Sequence, residues 1–301
     1  LTGVWATIYQ RRARLQAKHE RAVLAAWKTA TTGLDPGDVV AVFRREAYMT
    51  AEAVTKDPTK RWWQELGAAA ALGWLRRLYS GDGYDALVAA LADAIRSGMA
   101  EGEAGALALA AARAGRPGFP VDRAFKTAYT RLAGDHSITQ RAADAATRMI
   151  DATAGDVGRR LAKLAGDGAG EQDMADGVGD VMDDRQAPTQ GADWTVWGAI
   201  LAGAVGLYSW MSGDSSSLPG GGPDTPSPPQ PPPDAGPILL DWITAGDSRV
   251  CFTCDDYAAR GPYTPDQVPG YPHGRCRCSV DLAASYGSSS FLLALLDSFA
   301  N

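Results

Sequence analysis

The four cysteines of this 301-residue chain fall within one 28-residue stretch, and one of its three histidines sits among them. Cys251 and Cys254 form a C-x2-C pair; after eighteen intervening residues His273 opens a second group that holds Cys276 and Cys278. Thiolate and imidazole are ligands that zinc favours, and a tetrahedral structural site takes four where this cluster offers five. The opening pair can reach one ion from a single turn, and His273 with Cys276 or Cys278 returns on a second segment to close the site. The candidate ligands are therefore Cys251, Cys254, His273, Cys276 and Cys278, with the choice between the last two open. Two disulfides are the competing arrangement outside a reducing compartment, although Cys276 and Cys278 are too close to pair comfortably with each other. A thioredoxin-like redox pair asks for C-x-x-C at the start of a helix after a strand, and leaves the second group unexplained. A nuclease of the His-Asn-His kind needs more histidines nearby than His273 alone. Structural metal is the favoured reading, because a short, loop-rich segment buries too little core to fold without a staple.

The flanking residues narrow the reading. Trp242-Ile-Thr-Ala-Gly-Asp247-Ser-Arg249-Val leads into Cys251, and Tyr271-Pro272-His273-Gly-Arg-Cys276-Arg277-Cys278 closes the stretch. This order of tryptophan, aspartate, C-x-x-C and P-x-H-x-x-C-R-C resembles the phage Mu-type head morphogenesis family, the minor head proteins of tailed phages and prophages. The resemblance covers roughly residues 238–282. Gly274 stands where the family usually has a proline, and an apolar stretch with a proline-rich linker replaces the polar helix that commonly precedes the tryptophan. The resemblance implies a structural, non-catalytic virion component, present in few copies and made in the host cytoplasm. It implies contact with the portal and other head proteins in an oligomeric assembly, and a role in head assembly or in handling DNA as it leaves. The alternative is a membrane-anchored protein whose cysteine module is a zinc-binding interaction domain.

Several elements must position this cluster. Residues 238–285 read as a small α+β Cys/His module that Ile238-Leu-Leu-Asp-Trp-Ile-Thr244 enters as a strand. Residues 212–237 are a Pro/Gly/Ser-rich linker whose run Pro226-Ser-Pro-Pro-Gln-Pro-Pro-Pro233 suits a semi-rigid tether. Residues 286–301 form an apolar tail with a short helix expected at Phe291–Leu296. Trp194 to Met211 is an eighteen-residue stretch without charge. As a helix it would reach about 27 Å, just short of a hydrocarbon core of about 30 Å. Trp194, Trp197, Tyr208 and Trp210 sit towards its ends, and Gly198, Ala202 and Gly206 recur every fourth residue as a smooth packing face. Its three glycines weaken insertion, so the expectation is a helix buried against protein, with a membrane-inserting helix as the alternative.

Residues 1–168 are alanine-rich and helix-periodic, which makes the chain mainly α. Helices are expected near 3–31, 36–56, 59–79, 83–98, 102–114, 121–134 and 138–166, with Asp35 and Ser137 as caps. Trp62, Trp63, Leu66, Leu72, Trp74 and Leu75 are the expected core. Arg11, Arg14, Lys18, Arg21 and Lys28 fall on one arc of the first helix, a stripe that suits DNA phosphates, an acidic partner or plain solvent. Residues 169–193 carry Glu171, Asp173, Asp176, Asp180, Asp183 and Asp184 and read as an acidic flexible segment lacking the ligand pattern of a calcium loop. The net charge of −6 argues against nucleic-acid binding by the molecule as a whole. Histidines at 19, 136 and 273 suggest no triad. The chain begins at Leu1, which points to a longer chain or a non-standard start codon, and no signal peptide is evident.

Overall fold

The structure is a computed structural model that describes residues 2–53, 60–116, 118–184, 186–211, 239–244, 250–270 and 278–283. Among the described residues it is mainly α, with nine α-helices and one two-stranded antiparallel sheet. In chain order these are α1 (Thr2–Thr31), α2 (Pro36–Ala53), α3 (Lys60–Leu75), α4 (Asp82–Arg113), α5 (Val121–Arg131), α6 (His136–Gly166), α7 (Glu171–Asp183), α8 (Gln186–Met211), β1 (Leu240–Ile243), α9 (Phe252–Arg260) and β2 (Ser279–Leu282). The linker and the Phe291–Leu296 segment lie outside the described residues.

Helix boundaries follow local chemistry. Gly33 takes the left-handed conformation after α1 with φ of 88°, and Asp35 Oδ1 accepts the Gly37 N–H at 2.8 Å to open α2 behind Pro36. The cap of α6 differs from expectation. Asp135, not Ser137, accepts with its side chain, taking the Ser137 N–H at 2.9 Å, so the helix begins two residues early at His136.

Two further differences matter more. Residues 83–98 and 102–114 do not form separate helices; α4 runs unbroken through both. Gly98 and Gly102 look like a break in sequence, yet they are the points where α8 approaches. A Cβ on Gly102 would lie 2.0 Å from the Ile200 carbonyl oxygen, and one on Gly98 would lie 2.8 Å from the Ala199 Cβ. From the other side, a Cβ on Gly203 would fall 2.1 Å from the Met99 carbonyl oxygen. The second correction concerns the acidic segment, which is helical over Glu171–Asp183 rather than a flexible run. Met174, Gly177 and Val178 are buried at helical spacing, while Glu171, Asp173, Asp176, Asp180 and Asp183 take the more exposed side.

The chain divides into two compact units, neither continuous in sequence. One comprises 1–19, 92–140 and 192–301, the other 20–91 and 141–191, so the helical region 1–168 is shared between them. In the second unit, Phe43 of α2 meets Trp63 of α3 with ring centroids 5.7 Å apart. Gly67 and Gly158 let α3 and α6 approach at backbone distance, and Arg44 pairs with Glu171 at 3.0 Å. Of the expected core, Trp74 and Leu75 are buried, whereas Trp63, Leu66 and Leu72 are half-buried; the Trp62 side chain is not among those described.

The first unit is built on the α4–α8 contact. Val196, Trp197, Ala199, Ile200, Gly203, Ala204, Leu207 and Tyr208 are all buried. The close-packing face therefore uses Ala199 and Gly203, and a Cβ at the expected Gly198 would meet nothing within 4 Å. Trp197 is enclosed, with its indole N–H donating to Gln16 Oε1 at 2.9 Å. Among its described side chains, the uncharged run is thus packed against protein from Val196 to Tyr208. Among the described residues, no helix is long and apolar enough to cross a membrane.

This packing separates the glycines of α4 and α8 into two kinds. Gly102→Ala should destabilise the protein by about 2 kcal/mol or more, because backbone must move to admit the methyl group. Gly198→Ala should be neutral or stabilising by up to roughly 1 kcal/mol through helix propensity. Chemical denaturation of both variants checks this, and equal effects would contradict the assigned contact.

Candidate metal centre

The cysteines are placed by a short sheet and the start of a helix. Strand β1 alternates buried and half-buried positions, with Leu240 and Trp242 facing inward. Its antiparallel register pairs Leu240 with Leu282, Asp241 with Asp281, Trp242 with Val280 and Ile243 with Ser279. Cys278 therefore sits at the end of β2 that faces the exit of β1, the end from which the chain proceeds to Cys251. Helix α9 packs back on β1, with the Trp242 and Tyr257 rings edge to face at 5.2 Å. Tyr263 exchanges backbone hydrogen bonds with Leu240 at 2.7 and 2.8 Å, and its hydroxyl donates to the Tyr257 carbonyl at 2.7 Å.

Cys251 is the N-cap of α9. Its sulfur accepts the Cys254 N–H at 3.4 Å, and its carbonyl accepts the N–H groups of Cys254 and Asp255 at 3.0 and 3.1 Å. The Cys251 and Cys254 sulfurs are 3.4 Å apart, near the edge of about 3.8 Å that Zn–S bonds of about 2.3 Å give in a tetrahedron. Among the described residues, Cys251, Cys254 and Cys278 form no disulfide. Cys254 and Cys278 belong to one buried cluster, and Cys251 packs against it. His273 and Cys276 lie outside the described residues, and among the described residues no three candidate ligands gather into a metal-holding group.

The cluster's other members explain how a small module acquires a core. Ala104, Leu107, Ala110 and Ala111 of α4 and Leu201, Ala204, Leu207 and Tyr208 of α8 share it with Leu240, Trp242, Val280 and the cysteines. The module is seated on two helices, although the linker composition suggested a separate tethered bead. An ion pair adds to the seat: Arg113, at the end of α4, holds Asp281 of β2 at 2.7 Å with both side chains largely buried. The register that places Asp241 opposite Asp281 makes this cation more important, since like charges face each other across the sheet.

The basic arc of α1 is only partly displayed. Arg11 is held by Glu101 at 3.1 Å and by Asp122, so it is spent within the unit rather than offered to a partner. Arg14 is exposed, and Lys18 stands 4.0 Å from Asp93. Arg21 and Lys28 are exposed and line an open cavity of about 450 Å³ together with Trp27, Asp183 and Asp184.

Sequence reasoning missed the buried charges of the first unit. Glu103 takes Arg131 Nη2 on both oxygens, at 2.5 and 2.7 Å; burial raises this carboxyl above its ordinary range and Arg131 opposes the rise. His19 is fully enclosed, and neither ring nitrogen makes a hydrogen bond; Nδ1 lies 3.8 Å from Asp93 Oδ2. Asp93 Oδ1 accepts the Tyr129 hydroxyl at 2.5 Å, and Arg96 stands 5.5 Å from the centre of the Tyr129 ring. The available signal was the charge of Glu101 and Glu103 inside an alanine–glycine run, where only a paired group is tolerated. No protein-family model, curated protein or solved structure matches the chain.

These charges have measurable consequences. Arg113→Met removes the Arg113 guanidinium from the largely buried Asp281 and should cost up to about 3 kcal/mol. A thiol reagent added to the native protein should then reach Cys254 and Cys278 faster; unchanged thiol protection would mean that the ion pair does not seat the module. Burial lowers the pKa of His19, Asp93 opposes that and Lys18 adds to it. The unfolded imidazole binds a proton below about pH 6.5 while the folded one resists. The stability contribution is therefore present above that value and lost as pH falls towards the depressed folded pKa. Between pH 7 and pH 5, His19→Leu should show a smaller fall in urea midpoint than the parent, with the opposing contribution of Glu103 common to both.

Proposed function

We propose that this chain is a minor head protein of a tailed phage or prophage, structural rather than catalytic, acting in head morphogenesis. The observation that carries the reading is the ordered set Trp242, Asp247, Cys251-x-x-Cys254 and Pro272-His273-x-x-Cys276-Arg277-Cys278. The Cys251 and Cys254 sulfurs, 3.4 Å apart at a helix start, suit two positions of a zinc site. His273 and one of Cys276 and Cys278 would complete it. When bound, zinc supplies a crosslink between the α9 turn and the segment that enters β2. The chain's own residues do the positioning: the Cys254 N–H supports the Cys251 sulfur, and the α4–α8 floor encloses Cys254 and Cys278.

The partners in this reading are the portal and other head proteins within the virion, and DNA in transit. On α1 the contact falls to Arg14, Lys18, Arg21 and Lys28, since Arg11 is engaged by Glu101 and Asp122. A membrane-anchored protein is the less favoured reading, because insertion of Trp194–Met211 would strip Trp197 of Gln16 and α8 of its contact with α4.

Quantitative mass spectrometry of purified particles, scaled to the portal subunit, tests the proposal. The expected result is a few copies per portal ring. Absence from particles together with recovery in host membranes would overturn it.

A further inference from the structure

We infer that Cys251 and Cys254 are a peroxide-sensitive dithiol: a modification site in which the outer thiol meets the oxidant and the inner one resolves it. The two cysteines are unlike. Cys251 is half-buried at the N-cap, beside Phe252, which is 86% exposed and marks this turn as open to solvent. Cys254 is 1% exposed and lies directly beneath, with the sulfurs 3.4 Å apart. A disulfide bond of about 2.05 Å needs only about 1.3 Å of approach, within the reach of side-chain rotation. The Cys254 N–H already points at the Cys251 sulfur, at 3.4 Å, and supports negative charge developing there.

The step balances with hydrogen peroxide as the named oxidant. The Cys251 sulfur attacks one peroxide oxygen, the O–O bond breaks, and the departing oxygen takes the thiol proton and leaves as water. This makes a sulfenic acid at Cys251, whose sulfur has lost two electrons to the peroxide. The Cys254 thiol then attacks that sulfur, the S–O bond breaks, and the hydroxyl leaves with the Cys254 proton as a second water. One S–S bond forms, two thiol hydrogens leave, and one peroxide becomes two waters.

The consequence deepens the metal reading and rests on it in this respect alone: the sulfurs that form the disulfide are those assigned to zinc. Oxidation and metal retention at this turn therefore exclude one another.

The sequence makes the test direct. Trypsin cuts after Arg249 and Arg260, so peptide 250–260 carries both Cys251 and Cys254, while Cys278 falls in the peptide after Arg277. The full chain is prepared reduced, with and without added zinc, and treated with hydrogen peroxide. Expected is a peptide 250–260 lighter by two hydrogens, restored by dithiothreitol, with Cys278 still open to alkylation after unfolding. Cys254→Ser or Cys251→Ser should abolish this reaction and, in the former, leave Cys251 to oxidise further. A crosslink from peptide 250–260 to the Cys278 peptide, or sulfinic acid at Cys251 in the parent chain, would overturn the inference. Zinc release read in parallel separates the two readings. Release in step with the disulfide supports both, whereas a disulfide that forms with zinc retained, or with none bound at the start, keeps the dithiol and removes these sulfurs as ligands.

Discussion

The contact between α4 and α8 at backbone distance is the constraint on which the first unit depends. Gly98 and Gly102 on one helix and Ala199 and Gly203 on the other remove the side chains that would hold the axes apart. Glycine inside a helix costs about 1 kcal/mol relative to alanine, and here that cost is offset by contacts that larger residues would forbid. Once the helices touch at Gly102 and Gly203, their later turns present Leu107, Ala110 and Ala111 beside Ala204, Leu207 and Tyr208 as one apolar floor. Trp242, Val280, Cys254 and Cys278 are buried on that floor. The cysteine end of the protein is therefore a product of helix packing far from it in sequence.

The buried later turns of α4 constrain the charges they carry. Glu101 meets Arg11, Glu103 takes one Arg131 nitrogen on both of its oxygens, and Arg113 reaches Asp281. Such pairs recover little beyond their desolvation, and the raised pKa of Glu103 shows that burial outweighs its arginine. Their value lies in register. A slide of α1, α5 or β2 past α4 would leave a carboxylate unpaired in an apolar setting, which is far worse than a misplaced methyl group. Apolar small-residue packing sets how closely the elements approach, and the ion pairs set where along α4 they stop.

Much of the fold was legible because it rests on local signals. The turn at Gly33-Leu-Asp-Pro36 and the strand at Leu240–Ile243 follow from capping, proline and alternation, and the helical class follows from alanine-rich periodicity. The failures share one cause. Gly98 and Gly102 read as a break because a single sequence does not reveal the helix that will press against them. Residues 171–183 read as solvated because the charge of the run hid the spacing of Met174, Gly177 and Val178. The arc of Arg11 to Lys28 was visible, but the carboxylates that engage Arg11 are 90 and 111 residues away. For the site, Cys251, Cys254 and Cys278 were found by type and spacing, whereas their seat on α4 and α8 and the pairing of Asp281 were not. Those are tertiary facts.

The seat changes what a metal would do here. A free module of this size would need zinc to exist, because its own residues enclose too little apolar surface. Placed on α4 and α8, the sheet already has a core, a T-shaped aromatic pair and a buried ion pair. A metal at Cys251 and Cys254 would then act locally, joining the first turn of α9 to the segment that enters β2. Stability of the whole and order at the cysteine end become separate quantities, the first set by helix packing and the second by the state of the sulfurs. That separation would allow the thiol pair at the start of α9 to change state while the helices beneath it hold their places.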